Sequence, residues 1–186
     1  MSNKNVKQLK KQEGNSSIQT AIALMVGVIL LIGAIGAYQY ITQAKVNNDI
    51  AELSDLKNST VRYGQSVGTF TATNDTIAIL TSLNFFPSPR VTGSGTAGAA
   101  VTNQWGGTIV PSLGTVNTAG DSLVFTYTGV PTSACRELVT KMDNIATAVS
   151  VNATATKLAG AATVAATAIP LCLAGDNQTI AYTMSR

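Results

Sequence analysis

The chain has 186 residues, a formal net charge of +3 and no histidine. Its first fourteen residues carry the whole excess, because they hold four lysines and one glutamate, which leaves eight basic and eight acidic residues for the rest. The body therefore lacks the basic surplus of a nucleic-acid-binding protein, and without histidine or clustered carboxylates we predict no enzyme, no metal site and no cofactor.

An uncharged, proline-free stretch follows the basic head and covers residues 15–44. From Thr20 to Ile41 it is almost wholly apolar, and a helix of that length covers roughly 33 Å, the thickness of a bilayer core. We predict that residues 15–44 form a transmembrane helix. Because basic residues stay on the cytoplasmic side, residues 1–14 should lie in the cytoplasm and residues 45–186 outside the inner membrane.

A secretory signal peptide is the alternative interpretation of this N-terminal region. The apolar core of a signal peptide is only about 7–15 residues long, whereas this run is longer and continues into an amphipathic stretch. Small residues at Ala34, Gly36 and Ala37 leave cleavage near Ala37 open as the alternative.

The helix is predicted to continue past the apolar run, because no proline and no glycine interrupts the chain between Gly36 and Gly64. Apolar residues then fall on one helical face, at Val46, Ile50, Leu53 and Leu56. Charged residues take the other positions, at Asp49, Glu52, Asp55 and Lys57. This amphipathic pattern predicts one helix from about Ser17 to Tyr63, half in lipid and half under a globular domain.

The pentapeptide from Gly64 to Gly68 matches the G-x-S-x-G pattern of hydrolases by letter. That pattern needs a preceding strand and a histidine that takes the proton of the serine. Here a helix precedes it and histidine is absent, so Ser66 is not predicted to be a nucleophile. The two glycines indicate a helix end instead.

Beyond this point the sequence predicts short elements of both kinds. Asn74 or Asp75 is a candidate cap for a short helix that carries Ile77, Leu80 and Leu83. Strands are predicted at Thr108–Val110, Ser122–Thr128 and Thr179–Met184, and a small-residue loop at Val91–Ala100.

A second helix is predicted to open at Pro131, Thr132 and Ser133. Its apolar stripe comprises Cys135, Leu138, Met142, Ile145 and Val149. The segment Ser150–Ile169 is rich in alanine, threonine and valine and has no decisive period. We favour strands there, with loops at Gly160 and Pro170.

Cys135 and Cys172 are the only cysteines. Outside the membrane they would meet oxidising conditions, so we predict a disulfide between them. Closing a loop of about 38 residues would stabilise the domain by roughly 4 kcal/mol in the loop-closure model.

The charged head, the glycine and the uncharged helix-forming run together resemble the N terminus of type IV prepilins. The resemblance implies that a prepilin peptidase cuts between Gly14 and Asn15, and that Lys10, Lys11 and Glu13 belong to the recognised leader. Ser16 or Ser17 could then cap the new helix end.

Two positions depart from that family's pattern. Most members begin the mature chain with a large apolar residue and have a glutamate at its fifth position, where this chain has Asn15 and Gln19. The family's glutamate is thought to neutralise the terminal amine of a neighbouring subunit. Gln19 can accept a hydrogen bond from that amine but supplies no charge, so the contact should be weaker.

The distal half resembles type IVb pilins in an N-x-W-G-G motif, an F-T-Y-x-x-V-P-x-x-A-C motif and a second cysteine near the C terminus. The matching residues are Asn103, Trp105, Gly106, Gly107, Phe125, Thr126, Tyr127, Val130, Pro131, Ala134, Cys135 and Cys172. The fold class implied is α+β: a long N-terminal α-helix packed against an antiparallel β-sheet, the pilin αβ-roll, with a C-terminal disulfide-bounded region.

The expected function is that of a structural type IV pilus subunit. Its partners would be copies of itself in a helical filament, the prepilin peptidase, the pilus assembly machinery and, before assembly, the inner membrane. The mature protein would then be extracellular. The alternatives are a minor pilin or secretion pseudopilin, which Gln19 favours, and a signal-anchored domain that never polymerises.

Gly27, Gly33 and Gly36 lie within the apolar run and have two interpretations. Glycine is common in membrane helices, which is the simpler explanation. Alternatively the helix loosens there during packing into a fibre, because glycine weakens a helix by about 1 kcal/mol.

Overall fold

A computed structural model describes residues 3–71 and 77–186, with side chains from residue 18 onward. The chain divides into two compact units, Met1–Thr42 and Gln43–Arg186. The helices are α1 (Asn3–Val67), α2 (Ile77–Ser82), a 3₁₀ helix (Ser88–Arg90), α3 (Thr132–Lys141) and α4 (Ala165–Cys172). The strands are β1 (Val91–Thr92), β2 (Ala100–Thr102), β3 (Thr108–Thr115), β4 (Ala119–Val130), β5 (Ala148–Val151), β6 (Thr154–Lys157) and β7 (Gln178–Ser185).

The long helix α1 is confirmed, and it is longer than predicted at both ends. It begins within the head, at Asn3, because the lysines, glutamines and leucine there are good helix formers and one glycine costs a helix only about 1 kcal/mol. It ends at Val67, where Gly68 adopts a left-handed φ of +79° and donates its backbone N–H to the Gly64 carbonyl at 2.9 Å. This is a glycine helix stop.

The seven strands form one antiparallel sheet in the order β1-β2-β3-β4-β7-β5-β6. The last strand of the chain, β7, therefore lies in the interior of the sheet, between β4 and β5. The predicted strand at Thr108–Val110 extends through Pro111 to Thr115. Proline is tolerated there because β2 pairs only with Thr108 and Ile109, so one side of β3 is open beyond them.

One face of this sheet carries the core of the second unit. Paired residues of β4 and β7 bury their side chains on that face, as in Phe125 opposite Tyr182 and Tyr127 opposite Ile180. The same core includes Val46, Leu53 and Leu56 of α1 and the buried stripe of α3. The sheet thus has the hydrophobic layer that an α+β domain needs on one side.

Three predictions in the distal half are corrected. Residues 165–169 form part of α4 rather than a strand, and Pro170 lies inside that helix rather than in a loop. The alanine-rich sequence favours a helix, and the predicted strands are confined to β5 and β6. The helix α3 ends at Lys141, so Ile145 lies beyond it and Val149 belongs to β5.

The predicted short helix is confirmed as α2. Its proposed caps, Asn74 and Asp75, lie outside the described residues. Part of the predicted Val91–Ala100 loop forms β1 and the start of β2, which pair with each other through Val91 and Val101.

Candidate functional site

The apolar run of α1 is an exposed surface in the single chain. Between Ile18 and Ile41 nearly every large apolar side chain is exposed, with Leu30 at 68%. The helix is long and apolar enough to cross a membrane, and none of its most apolar window is buried. Monomeric soluble proteins rarely expose an apolar area of this size. This surface, which we call the apolar helix surface, needs cover from lipid or from other protein chains.

The glycines of this surface do not serve packing within the single chain. A Cβ atom added at Gly27, Gly33 or Gly36 would meet no atom within 4 Å apart from the adjacent backbone of the same helix. They leave room for the close approach of another helix, as small residues do in membrane helix pairs. Local unwinding at these positions stays a prediction.

The predicted processing residues Lys10, Lys11, Glu13, Gly14 and Asn15 all lie within α1. Their side chains fall outside the described part of the chain, so their roles remain predictions. Gln19 is exposed, as a contact with another subunit requires. In the uncut chain Ser16 and Ser17 lie inside α1, so capping by either of them remains a prediction for the cut form.

A buried charged cluster lies beneath the distal half of α1, and it corrects the sequence analysis. Asp49 and Glu52, which the sequence pattern places outside the apolar stripe, are only 1% and 7% exposed. The Trp105 indole N–H donates to Asp49 Oδ2 at 2.6 Å. One Arg90 guanidinium nitrogen lies 2.5 Å from Glu52 Oε2 and 3.9 Å from Asp49 Oδ1. We call these four residues the buried charge cluster.

Burial dominates the electrostatics of this cluster. It raises the pKa of Asp49 to about 6, against the opposing effects of Trp105 and Arg90. It also raises the pKa of Glu52 to about 7, and there the charge of Asp49 adds to the effect while Arg90 opposes it. Desolvation penalises both charged forms more than one guanidinium can offset.

The N-x-W-G-G motif forms the tight turn that places Trp105 in the cluster. The side-chain oxygen of Asn103 accepts the backbone N–H groups of Trp105 and Gly107, both at 2.9 Å. Its amide donates to the Thr128 carbonyl at 2.7 Å, which ties the turn to β4. Asparagine is suited to this place because one side chain both donates and accepts.

The predicted disulfide is confirmed: Cys135 and Cys172 are bonded, with their Cα atoms 5.7 Å apart. The bond joins α3 to α4 and encloses β5 and β6, a stretch that we call the disulfide-bounded segment. A hydrogen bond also links two distant parts of this segment: the Thr163 backbone N–H donates to Asp143 Oδ1 at 2.7 Å. The two hydrogen bonds from Thr163 are the main reason that the pKa of Asp143 is lowered.

Nothing in the described residues brings together three or more side chains that could hold a metal ion. The sequence analysis missed the buried charge cluster as a unit, because its members come from three separate segments. The one available signal was the N-x-W-G-G motif, which marks Trp105 as a residue set in a specific turn.

The comparisons with known proteins agree with this fold. The family model described as PilS N terminal matches residues 40–185. The crystal structure of a type IVb pilin from Salmonella typhi is 20% identical, with a TM-score of 0.57 over 75% of this chain and 99% of that one. TcpA, a type IV pilin from Vibrio cholerae El Tor biotype, is 17% identical, with a TM-score of 0.56 over 76% of this chain and 99% of TcpA. No curated protein matches the chain significantly. The chain therefore belongs to the PilS family and has the fold of a type IVb pilin.

Proposed function

We propose that this chain is the precursor of a structural subunit of a type IV pilus. The observation that carries the proposal is the apolar helix surface, exposed from Ile18 to Ile41 in a chain of the PilS family. The surface first anchors the precursor in the inner membrane, with the basic head in the cytoplasm. Tyr38 and Tyr40 are both exposed at the outer end of the run, where aromatic side chains favour the membrane interface.

Assembly requires that the same surface leave lipid and become buried again. Exposing one large apolar side chain to water costs about 1.5–3 kcal/mol of free energy. A free mature subunit in water is therefore strongly disfavoured. A bundle of identical helices in a filament core restores that burial. Head-to-tail contacts that do not close into a ring produce a helical fibre, so the principal partner is another copy of this chain.

Processing by a prepilin peptidase after Gly14 precedes assembly in this proposal. The cut removes Lys10, Lys11 and Glu13 with the rest of the head and creates a new terminus at Asn15. Glycine suits the position before the cut because it lacks a side chain and lets the backbone extend into a narrow site. In this proposal the subunit catalyses no reaction. The peptidase cleaves it, and the assembly machinery inserts it into the fibre.

The proposal is tested by N-terminal sequencing of the mature protein, combined with electron microscopy of material sheared from the cell surface. We expect fibres whose subunit begins at Asn15. Gly14→Phe should leave a full-length chain and no fibres. Gly98→Ala is the matched control, because an added Cβ there meets no atom within 4 Å, and it should leave both cleavage and fibres unchanged.

A minor pilin or secretion pseudopilin is the second candidate, and Gln19 favours it because it cannot supply the charge that the family's glutamate provides. It predicts an end at Asn15 without fibres of this subunit. An intact Met1, or an end near Ala37, would support a signal-anchored domain instead and contradict the pilus proposal.

A further inference from the structure

The buried charge cluster has more negative than positive charge. Two carboxylates, Asp49 and Glu52, face one guanidinium, that of Arg90. The same guanidinium nitrogen serves both, at 3.9 Å and 2.5 Å, so neither carboxylate has a cation of its own. Glu52 Oε1 has no hydrogen-bond partner, and Arg90 only partly offsets the burial of the Glu52 carboxylate. An excess of one negative charge therefore lies in a poorly solvated place.

The other groups around the cluster do not balance this charge. Lys45 acts on Asp49 from a distance, since its ammonium lies over the Trp105 ring at 5.4 Å from the centroid. Asp55, further along α1, adds a second negative field to Glu52. On the neighbouring turn, the Trp105 indole N–H is a neutral donor to Asp49, and Gln104 carries no charge.

The sheet contributes only neutral groups to this place. The hydroxyls of Tyr127 on β4 and Tyr182 on β7 are buried and have no hydrogen-bond partner. Burial raises the pKa of both well above the ordinary value, so both are uncharged. A proton on the carboxylates is the smallest change that would remove the excess charge.

A route from solvent to the cluster is present. Glu52 lines an open groove of about 420 Å³ between α1 and the segment that carries the 3₁₀ helix. Other lining residues are Asn48, Asp55, Phe86 and Arg90. The groove brings water close to Glu52, so protons can exchange there without unfolding of the domain.

We propose that Asp49 and Glu52 form a proton-binding site, which takes up one proton in mildly acidic surroundings and thereby removes the buried excess charge and stabilises the folded unit. The stability of the packing around the distal half of α1 therefore depends on pH. It concerns the folded subunit alone and does not depend on the proposed function.

The sign of the effect follows from the direction of the shifts. Folded-state pKa values of about 6 for Asp49 and about 7 for Glu52 exceed the ordinary values near 4. Between about pH 4 and pH 7 the folded chain therefore holds more protons than the unfolded chain. The contribution of the two carboxyl groups to stability is greatest at a pH below their pKa values in the unfolded chain. It is lost as the pH rises through their pKa values in the folded chain. The chain has no histidine, the one side chain whose unperturbed pKa lies between pH 5 and pH 8, so no histidine titration overlaps with that of the two carboxyl groups.

The test is thermal unfolding of the full chain in non-ionic detergent at pH 5.0 and pH 7.5, followed by tryptophan fluorescence. Trp105 is the only tryptophan and donates to Asp49, so its emission reports on the cluster directly. We expect Tm to be about 3–6 °C higher at pH 5.0. We also expect the native emission to change between pH 5 and pH 8.

Glu52→Gln imitates the protonated form and should raise Tm at pH 7.5 towards the wild-type value at pH 5.0. Most of the pH dependence should then be lost. Asp176→Asn is the control, because Asp176 is an exposed carboxylate that does not act on Asp49 or Glu52, and it should keep the wild-type pH dependence. A wild-type Tm that is equal or lower at pH 5.0 would overturn the proposal. So would a Glu52→Gln chain that keeps the full dependence, or an Asp176→Asn chain that loses it.

Discussion

At the residue scale, the N-x-W-G-G motif is explained by close backbone contacts. Gly107 lies against β4 so closely that an added Cβ would be 1.8 Å from the Thr128 carbonyl oxygen. No side chain fits there without moving the strand or the turn. The adjacent Gly106 has a left-handed φ of +85°, which glycine adopts without strain. The two glycines thus serve different purposes in one turn.

Gly107→Ala should lower the free energy of unfolding by about 3 kcal/mol, since overpacking against backbone atoms cannot be relieved by a side-chain rotation. Urea unfolding of the full chain in detergent measures the loss. Gly98→Ala, where the added Cβ meets nothing within 4 Å, should change stability by no more than about 0.5 kcal/mol. Equal effects of the two substitutions would contradict this account of the motif.

Asp121 is expected to contribute to stability at the acid end of the pH range. Its carboxylate accepts the backbone N–H groups of Val116, Asn117 and Thr118 at 2.7–2.9 Å. These bonds, that from Thr118 foremost, lower its pKa to about 2. The stabilisation is present above the ordinary carboxyl pKa near 4 and is lost as the pH falls through about 2.

Asp121→Asn should therefore lower Tm at pH 5 and flatten the decline of Tm between pH 4 and pH 2. Thermal melts across that range provide the measurement, and Asp55→Asn, on an exposed residue, is the control. A variant whose acid decline is as steep as that of the wild type would show that other carboxylates are responsible.

At the element scale, the disulfide holds together α3 and α4, which the chain separates by two strands. Both cysteines are fully buried, and they belong to the same core cluster as Leu138, Met142 and Ile180. The bond acts on the unfolded chain by closing a long loop, and on the folded chain by fixing the packing of α4.

Replacing both Cys135 and Cys172 with alanine should lower the free energy of unfolding by about 4 kcal/mol, the cost of opening a loop of about 38 residues. Alanine avoids the burial of unpaired hydroxyls that serine would introduce. Urea unfolding of the oxidised wild type and the variant measures the difference. A loss below about 1 kcal/mol would mean that hydrophobic packing alone holds the segment.

At the scale of the whole molecule, the apolar helix surface and the folded unit perform separable tasks. The side chains of the surface are exposed in the single chain, so polar substitutions there should not unfold residues 43–186. They should act only where the surface is covered, in lipid or in a fibre.

Leu30→Asp should leave the Tm of the folded unit unchanged and abolish fibres. One acidic residue at the centre of a helix costs about 3 kcal/mol in membrane insertion. The remaining apolar residues of the helix are sufficient to offset that cost in one anchored subunit. In a fibre, however, every subunit would bury such a residue. Membrane fractionation and electron microscopy of sheared material provide the measurements. Leu30→Met, which conserves volume, is the control and should form normal fibres; fibres from Leu30→Asp would contradict a helical core.

Sequence reasoning reached the features that depend on neighbours along the chain. The apolar run, the long helix, the last strand and the cysteine pair all follow from local period, composition or number. The prediction of a strand was wrong at Ala165–Pro170, because alanine and threonine there show no hydrophobic periodicity that distinguishes a helix from a strand. In the structure this segment belongs to the helix that ends at the disulfide-bonded Cys172.

Only the tertiary structure decided the place of β7 between β4 and β5, and the burial of Asp49 and Glu52. Both depend on which distant segments meet. Strand β7 pairs with strands formed earlier in the chain, Arg90 reaches Glu52 from the 3₁₀ helix, and Trp105 reaches Asp49 from a turn 56 residues away. The periodicity of apolar residues along a helix or strand indicates which side of that element faces the core. It does not report which charged groups that core contains, because burial and charge compensation are properties of several segments together.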